Sequence, residues 1–237
     1  MAYYQALEMA SFKGGFLMRT AHELRSPLNQ IISLQQMILE GLCDDIEEEH
    51  QFVADAHAAS LKMLAYLDLM IRVSKIEMGR LAPQIQTVSL AAIFDRVKAL
   101  TEVQMADRNL RLVVESPSTD HHAAADPTWL RNLLVMLIEG AIAGGDRGTI
   151  RLRSAPVENS SYCQLWLEDD RSTTLWQEPI ELPAPAEFTL DDRLSASLRM
   201  ALVHAMLTAM TGQLSIISGT EPGGTRLQIT LPTTTSE

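Results

Sequence analysis

One histidine stands in a setting that suits nucleophilic chemistry. His22 is followed directly by Glu23, and Ser26 comes four residues after the histidine. An imidazole has an unperturbed pKa near 6.5, so at neutral pH its nucleophilic nitrogen is mostly unprotonated. Glu23 could orient the ring or act as a general base. In a helix, Ser26 would share a face with His22, where its hydroxyl could position a water molecule.

A seven-residue repeat predicts the helix that carries this histidine. From residue 17 to residue 42 apolar side chains step by fours and threes, with one polar interruption, which is typical of a bundle seam. Ala21 and Leu24 lie on the seam, so we expect His22 to lie beside it and face outward. Pro27 removes one helical hydrogen bond and should bend the helix just after the histidine.

A second helix is predicted after a turn at residues 43–45. It starts at the acidic run 47–49, which favours a helix N-terminus, and it fades at Gly79. The two arms form a helical hairpin over residues 1–82, with too little core to be stable alone. We therefore expect a four-helix bundle made by two chains, that is, a homodimer.

The pattern changes after Pro83. Helices are predicted at 90–105, 127–143 and 194–211, and strands at 110–115, 149–153, 162–168, 214–218 and 226–231. Residues 170–193 contain three prolines and predict a loop. Helices on one side of a mixed sheet form a two-layer α+β domain, which we assign to residues 83–237.

Composition excludes several classes of function. The 237 residues include 19 Lys and Arg against 30 Asp and Glu, a net charge of −11, which argues against nucleic acid and anionic membrane as partners. No apolar run approaches the roughly 18 residues of a membrane span, and the N-terminus has no secretory signal pattern. The two cysteines lie far apart in the sequence, which predicts a reduced, cytoplasmic protein. The pair His121-His122 has no further metal-ligand pattern beside it, so we expect a loop there and no metal site.

The run His22-Glu-Leu-Arg-Ser-Pro-Leu28 closely resembles the H-box of two-component sensor histidine kinases. The segment 72–79 resembles the end of the second helix in that family. The resemblance implies that His22 exchanges a phosphoryl group with an Asp on a response-regulator receiver domain. It also implies that Glu23 is the base and that Ser26 aids phosphatase action.

The second domain resembles the ATP-binding domain of the same kinases, of the Bergerat type. That fold binds ATP through an Asn-bearing helix and two glycine-rich loops. Placing Ala141 and Ile142 on the Asn-Ala-Ile of the family puts Gly140 where the Mg-binding Asn belongs. Only Glu139 then remains nearby as an oxygen ligand.

Both glycine-rich loops also depart from the pattern of the family. Asp169 matches the Asp that reads adenine, but the glycines after it are replaced by Arg171 and Thr173. The glycines of the second loop are replaced by Ser195, Ser197 and Arg199. Glycine lets the backbone approach a triphosphate, and Mg²⁺ needs its oxygen ligand. We therefore expect ATP binding to be lost and no cofactor to be held.

Three functions remain open at this point. The first is phosphotransfer through His22, supplied by a phosphorylated receiver domain or by a partner histidine kinase. The second is an ATP-dependent kinase in which Arg199 contacts phosphate and Glu139 holds Mg²⁺. The third is a non-enzymatic scaffold of a kinase complex, in which the second domain binds a partner or pairs with a true kinase and His22 is merely inherited. Trp166 and Trp176 could stack on a base, although Trp166 alternates with core positions on a predicted strand.

Overall fold

The computed structural model describes most of the residues of the chain. They are residues 21, 24–105, 109–117, 121–144, 147–156, 160–171, 176, 196–219 and 223–233. Three predicted site residues, His22, Glu23 and Ser195, lie outside them, as does most of the predicted loop at 170–193. Ser197 is described only as part of a helix backbone.

The first unit is a helical hairpin. Helix α1 covers residues 24–39, and α2 covers Ile46–Glu77. At the start of α2, the Glu48 N–H donates to Asp45 Oδ1 at 2.8 Å, so the last residue of the predicted turn caps the helix, and the acidic run 47–49 lies in its first turn as predicted. At its end, Gly79 adopts φ 67° and its N–H donates to the Ile76 carbonyl at 2.9 Å. This left-handed residue closes the helix at the predicted position.

The second unit, residues 75–186 and 199–237, is an α+β domain. Its elements are β1 (Gln86–Ser89), α3 (Leu90–Met105), β2 (Asn109–Val114), β3 (His122–Ala125), α4 (Pro127–Ala143), β4 (Arg147–Pro156), β5 (Tyr162–Asp169), α5 (Ala196–Ala209), β6 (Gln213–Ser218) and β7 (Thr225–Pro232). Five strands form one sheet in the order β2-β4-β5-β7-β6, in which β2 and β4 are parallel and the other neighbours are antiparallel. The predicted hairpin and mixed-sheet domain are confirmed, whereas the predicted domain boundary at residues 82–83 stays a prediction.

The core of this domain lies on one side of the five-stranded sheet. Alternate residues of the central strands are fully or almost fully buried, namely Ile150, Leu152, Leu165, Leu167, Leu227, Ile229 and Leu231. Helix α4 likewise buries Leu130, Leu133, Leu134, Leu137 and Ile138 completely. The period-2 and helical patterns of burial identify a two-layer arrangement with one open sheet face.

Asp126 fixes the start of α4. Its Oδ1 accepts the N–H groups of Thr128 and Trp129 at 2.9 and 3.0 Å, and its Oδ2 accepts the Gln84 N–H at 2.9 Å. Pro127 occupies the first helical position, where no N–H partner is required. The sequence pattern Asp-Pro therefore marked this helix start correctly.

A small second sheet was not predicted. β1 and β3 pair antiparallel, with Val88 opposite Ala123 and Ser89 opposite His122. The prediction of a loop at His121-His122 was wrong for His122, which begins β3. The three alanines of β3 have weak strand propensity, so the pairing with β1 decides the structure there. No helix in the described stretches has both the length and the apolar character of a bilayer span.

Candidate functional site

The part of the H-box that the structure describes lies in α1. Ser26 is exposed and Pro27 is buried, and the helix continues through Pro27 to residue 39. A hydroxyl exposed on this helix face can reach solvent and a docked partner. The predicted roles of His22 and Glu23 concern residues outside the description and stay predictions.

At the end of β5, the carboxylate of Asp169 is held by Arg171. Arg171 Nε donates to Asp169 Oδ1 and Nη2 donates to Oδ2, both at 2.7 Å. The Arg171 backbone N–H donates to the same Oδ1 at 3.1 Å. The Asp169 side chain is 2% exposed and that of Arg171 is 15% exposed. Both carboxylate oxygens are thus engaged in a buried, two-pronged ion pair.

Arg171 also joins three elements of the domain. Its Nη2 donates to the carbonyl of Ala141 in the last turn of α4, where a cation is favoured by the helix dipole. The buried Thr225 donates its hydroxyl to the Arg171 carbonyl at 2.8 Å. The ends of β5 and α4 and the start of β7 are therefore connected through one arginine.

Arg199 and Trp176 lie against Gly140 of α4. A β-carbon on Gly140 would come within 2.6 Å of Arg199 Nη1 and within 3.2 Å of the Trp176 ring. Arg199 is 5% exposed and Trp176 is 7% exposed. The space into which a side chain at position 140 would point is therefore filled by a guanidinium and an indole ring.

The structure thus brings several predicted positions together. Gly140 contacts Arg199 and the Arg171–Asp169 pair reaches Ala141, while Glu139 adjoins Gly140 in the same helix. Within the described residues, no group of His, Cys, Asp and Glu side chains could hold a metal ion. Sequence reasoning noted Trp176 only as a candidate for base stacking, because no local pattern placed it beside α4.

Comparison with known proteins identifies the first domain. Residues 12–79 match the family model for the His Kinase A (phospho-acceptor) domain. This first domain therefore belongs to the His Kinase A (phospho-acceptor) family, the family of two-component histidine kinases that the H-box resembles. This confirms the prediction that residues around His22 form a phospho-acceptor domain of this type.

Curated relatives are similar in sequence to most of the chain, and solved structures share its fold. The chain is 27% identical over 239 residues to the autoinducer 2 sensor kinase/phosphatase LuxQ of Vibrio cholerae, covering 96% of this chain but 27% of LuxQ. The histidine kinase AdeS of Acinetobacter baumannii has the same fold, with a TM-score of 0.60 at 20% identity, over 90% of this chain and 98% of that one. The histidine kinase ThkA, in complex with response regulator protein TrrA, has a TM-score of 0.65 at 18% identity, and the match covers 96% of this chain and 64% of that one. The chain therefore spans about a quarter of the length of LuxQ.

Proposed function

We propose that this chain is a two-component phosphotransfer protein that works without ATP. The His22 imidazole attacks the phosphorus of a phosphorylated aspartate on a receiver domain. The new N–P bond forms as the P–O bond to the aspartyl carboxylate breaks, and Glu23 accepts the proton from the other ring nitrogen. The reverse reaction passes the group to the Asp of a second receiver. Ser26 positions the water that hydrolyses the aspartyl phosphate.

The observation that carries this proposal is the ion pair between Arg171 and Asp169. In histidine kinases the carboxylate at the position of Asp169 reads adenine, and here both of its oxygens accept hydrogen bonds from Arg171 at 2.7 Å. An adenine amino group would have to displace a guanidinium that is itself bonded to Asp169 and Ala141. Breaking a buried ion pair is strongly unfavourable, so this carboxylate is a poor adenine acceptor.

The residues around Gly140 do not fit Mg-ATP either. Gly140 offers no side-chain oxygen, and Arg199 and Trp176 fill the space next to its α-carbon. Mg²⁺ requires oxygen ligands in near-octahedral geometry, and a buried guanidinium at that point opposes a dication. These contacts support loss of the nucleotide and its metal together.

The hairpin supports a homodimer and a receiver partner. Large apolar side chains are exposed along both arms, among them Leu39 at 84%, Leu42 at 59% and Ile71 at 52%. Burying these surfaces against a second copy completes a four-helix bundle. The related ThkA structure is a complex with a response regulator protein, which supports a receiver as the partner. The two cysteines are free thiols, as expected if the protein works in the reducing cytoplasm.

Transfer to His22 is tested with receiver domains that an active histidine kinase has radiolabelled. We expect acid-labile label to move to the chain, to be lost in His22→Ala, and to persist in His57→Ala, whose histidine is exposed on α2. Ser26→Ala should keep the transfer and slow the release of phosphate. Absence of label, or equal labelling of the His22→Ala variant, would refute the proposal.

ATP dependence is tested separately by calorimetry with Mg-ATP. We expect no saturable heat at millimolar nucleotide, and no labelling of His22 from γ-labelled ATP. Micromolar binding together with labelling of His22 would instead establish an ATP-dependent kinase. Unimpaired signalling by His22→Ala in cells would favour a non-enzymatic scaffold.

A further inference from the structure

The face of the five-stranded sheet that points away from the core is basic. Residues opposite one another in the strand registers share a face, and the outward positions carry Arg111 on β2, Arg147, Arg151 and Arg153 on β4, and Arg226 on β7. Glu168 is the one carboxylate at the outward positions of these strands. Two further carboxylates, Glu115 and Asp170, follow at the same alternation just beyond the ends of β2 and β5. Five arginines against three carboxylates leave an excess of 5 − 3 = 2 positive charges on this face of a chain whose net charge is −11. We call these residues, together with Trp166, the outer sheet face.

The centre of the outer sheet face is a stack of two arginines on a tryptophan. The guanidinium carbons of Arg153 and Arg226 lie 5.4 and 4.7 Å from the centroid of the Trp166 ring. Both guanidiniums also pair with Glu168, and the distance from Arg226 Nη2 to Glu168 Oε1 is 2.6 Å. The Glu168 side chain is 6% exposed, so this centre is held in place before any partner arrives.

Three further arginines lie on one side of this centre, on β2 and β4. Arg111, Arg147 and Arg151 form no ion pair with another residue in the described part of the chain. Arg111 and Arg147 are exposed and Arg151 is half-buried. From β2 to β7 the sheet spans three strand spacings, about 14 Å. The outer sheet face is therefore a fixed basic platform of the size that a helix or loop of a partner can cover.

We propose that the outer sheet face is a docking surface for an acidic protein segment. Charge complementarity selects Asp- and Glu-bearing partners, and tryptophan and arginine are the residue types that dominate interface energies. A nucleic acid fits less well. Its bases need free aromatic faces, and the Trp166 ring is already covered by two guanidiniums. This proposal does not rest on phosphotransfer by His22.

The test uses the full chain and a fluorescent 12-residue peptide of alternating Glu and Ala, at physiological salt. Fluorescence anisotropy should show saturable binding that Arg111→Glu/Arg151→Glu weakens at least about tenfold. The matched control is Arg96→Glu/Arg131→Glu, which changes the charge equally on α3 and α4 and should change the affinity less than about threefold. Circular dichroism checks that both double variants remain folded, and Arg111→Gln/Arg151→Gln serves as a milder pair if the first does not fold.

Three results would overturn the proposal. One is the absence of saturable peptide binding by the unmodified chain. Another is an equal loss of affinity in the two double variants, which would mean that only total charge matters. The third is tighter binding of a 12-nucleotide single-stranded DNA than of the peptide, which would identify the outer sheet face as a nucleic-acid surface. Labelling of His22 by a phosphorylated receiver should be unaffected in the Arg111→Glu/Arg151→Glu variant, so the two proposals fail independently.

Discussion

Arg199 and Gly140 are sterically complementary: a β-carbon on Gly140 would lie 2.6 Å from Arg199 Nη1. In the pattern of the family, the first of these positions is a glycine and the second is a metal-binding asparagine. In this chain the small residue is at position 140 and the large one is at position 199. An asparagine restored alone at position 140 requires the Arg199 guanidinium and the Trp176 ring to move, and a glycine restored alone at position 199 leaves a hole.

Restoring the asparagine alone should therefore destabilise the domain. We expect Gly140→Asn to lower the free energy of unfolding by about 1–3 kcal/mol, because overpacked side chains force their neighbours to move. Adding Arg199→Gly should recover part of that loss. Urea denaturation measures both, with Ala143→Asn on the exposed side of the same helix as the control. Additive effects of the two substitutions would contradict the close contact.

The contributions of Arg171 and Asp169 to the free energy of unfolding should depend on each other. Arg171→Ala leaves a carboxylate that is 2% exposed without its partner, and we expect a loss of about 3–5 kcal/mol. Arg171→Lys keeps the charge but not the two-pronged geometry, and should lose less. Chemical denaturation of the single variants and of Asp169→Asn/Arg171→Ala gives the coupling energy in a double-mutant cycle.

Arg151→Ala is the matched control for this cycle, since Arg151 has no ion pair within the described residues. It should change stability by less than about 0.5 kcal/mol. A loss in Arg171→Ala no larger than in this control would show that the ion pair contributes nothing to the domain.

Glu168 should be required to hold Arg153 and Arg226 together. Glu168→Gln leaves two guanidiniums over the same ring with no carboxylate between them. Because both arginines are partly solvated, we expect a loss of only about 1–3 kcal/mol, reduced by added salt. Thermal unfolding at low and high salt measures this. Glu115→Gln, just beyond β2 and exposed, should show neither the loss nor the salt dependence.

The buried thiol of Cys163 should make stability depend on alkaline pH. Burial in β5 raises the pKa of Cys163 to about 11, from 9.0. The folded state therefore binds this proton more tightly than the unfolded state. The resulting stabilisation is complete below pH 9 and is lost as the pH rises towards 11.

Comparing the chain with Cys163→Val isolates this effect from other groups that titrate at high pH. The variant should lose less stability between pH 9 and 11 in urea denaturation. Iodoacetamide should also label Cys43, which is partly exposed, well before Cys163. Equal slopes with pH in the two proteins would show that the Cys163 thiol is solvated.

Local sequence patterns were sufficient for most elements of the fold. The bounds of α3 matched the predicted residues 90–105, and the Asp126-Pro127 start of α4 and the Gly79 end of α2 were found at the predicted positions. Each depends on contacts between residues close in the chain, such as caps and periodic apolar faces. β1 and β3 were missed because their strand character comes from pairing across more than thirty residues.

By itself, the sequence determined the family through the consecutive residues around His22, and it showed which positions of the nucleotide-binding pattern had changed. Only the tertiary structure decided what the changed residues do. Arg171 could be seen to replace a glycine, but its bonds to Asp169 and Ala141 join β5 to α4 across thirty residues. The basic outer sheet face likewise exists because the registers of β2, β4, β5 and β7 place distant arginines side by side. The sequence specifies the charge and volume of each side chain, whereas strand pairing and helix packing decide which side chains lie close together.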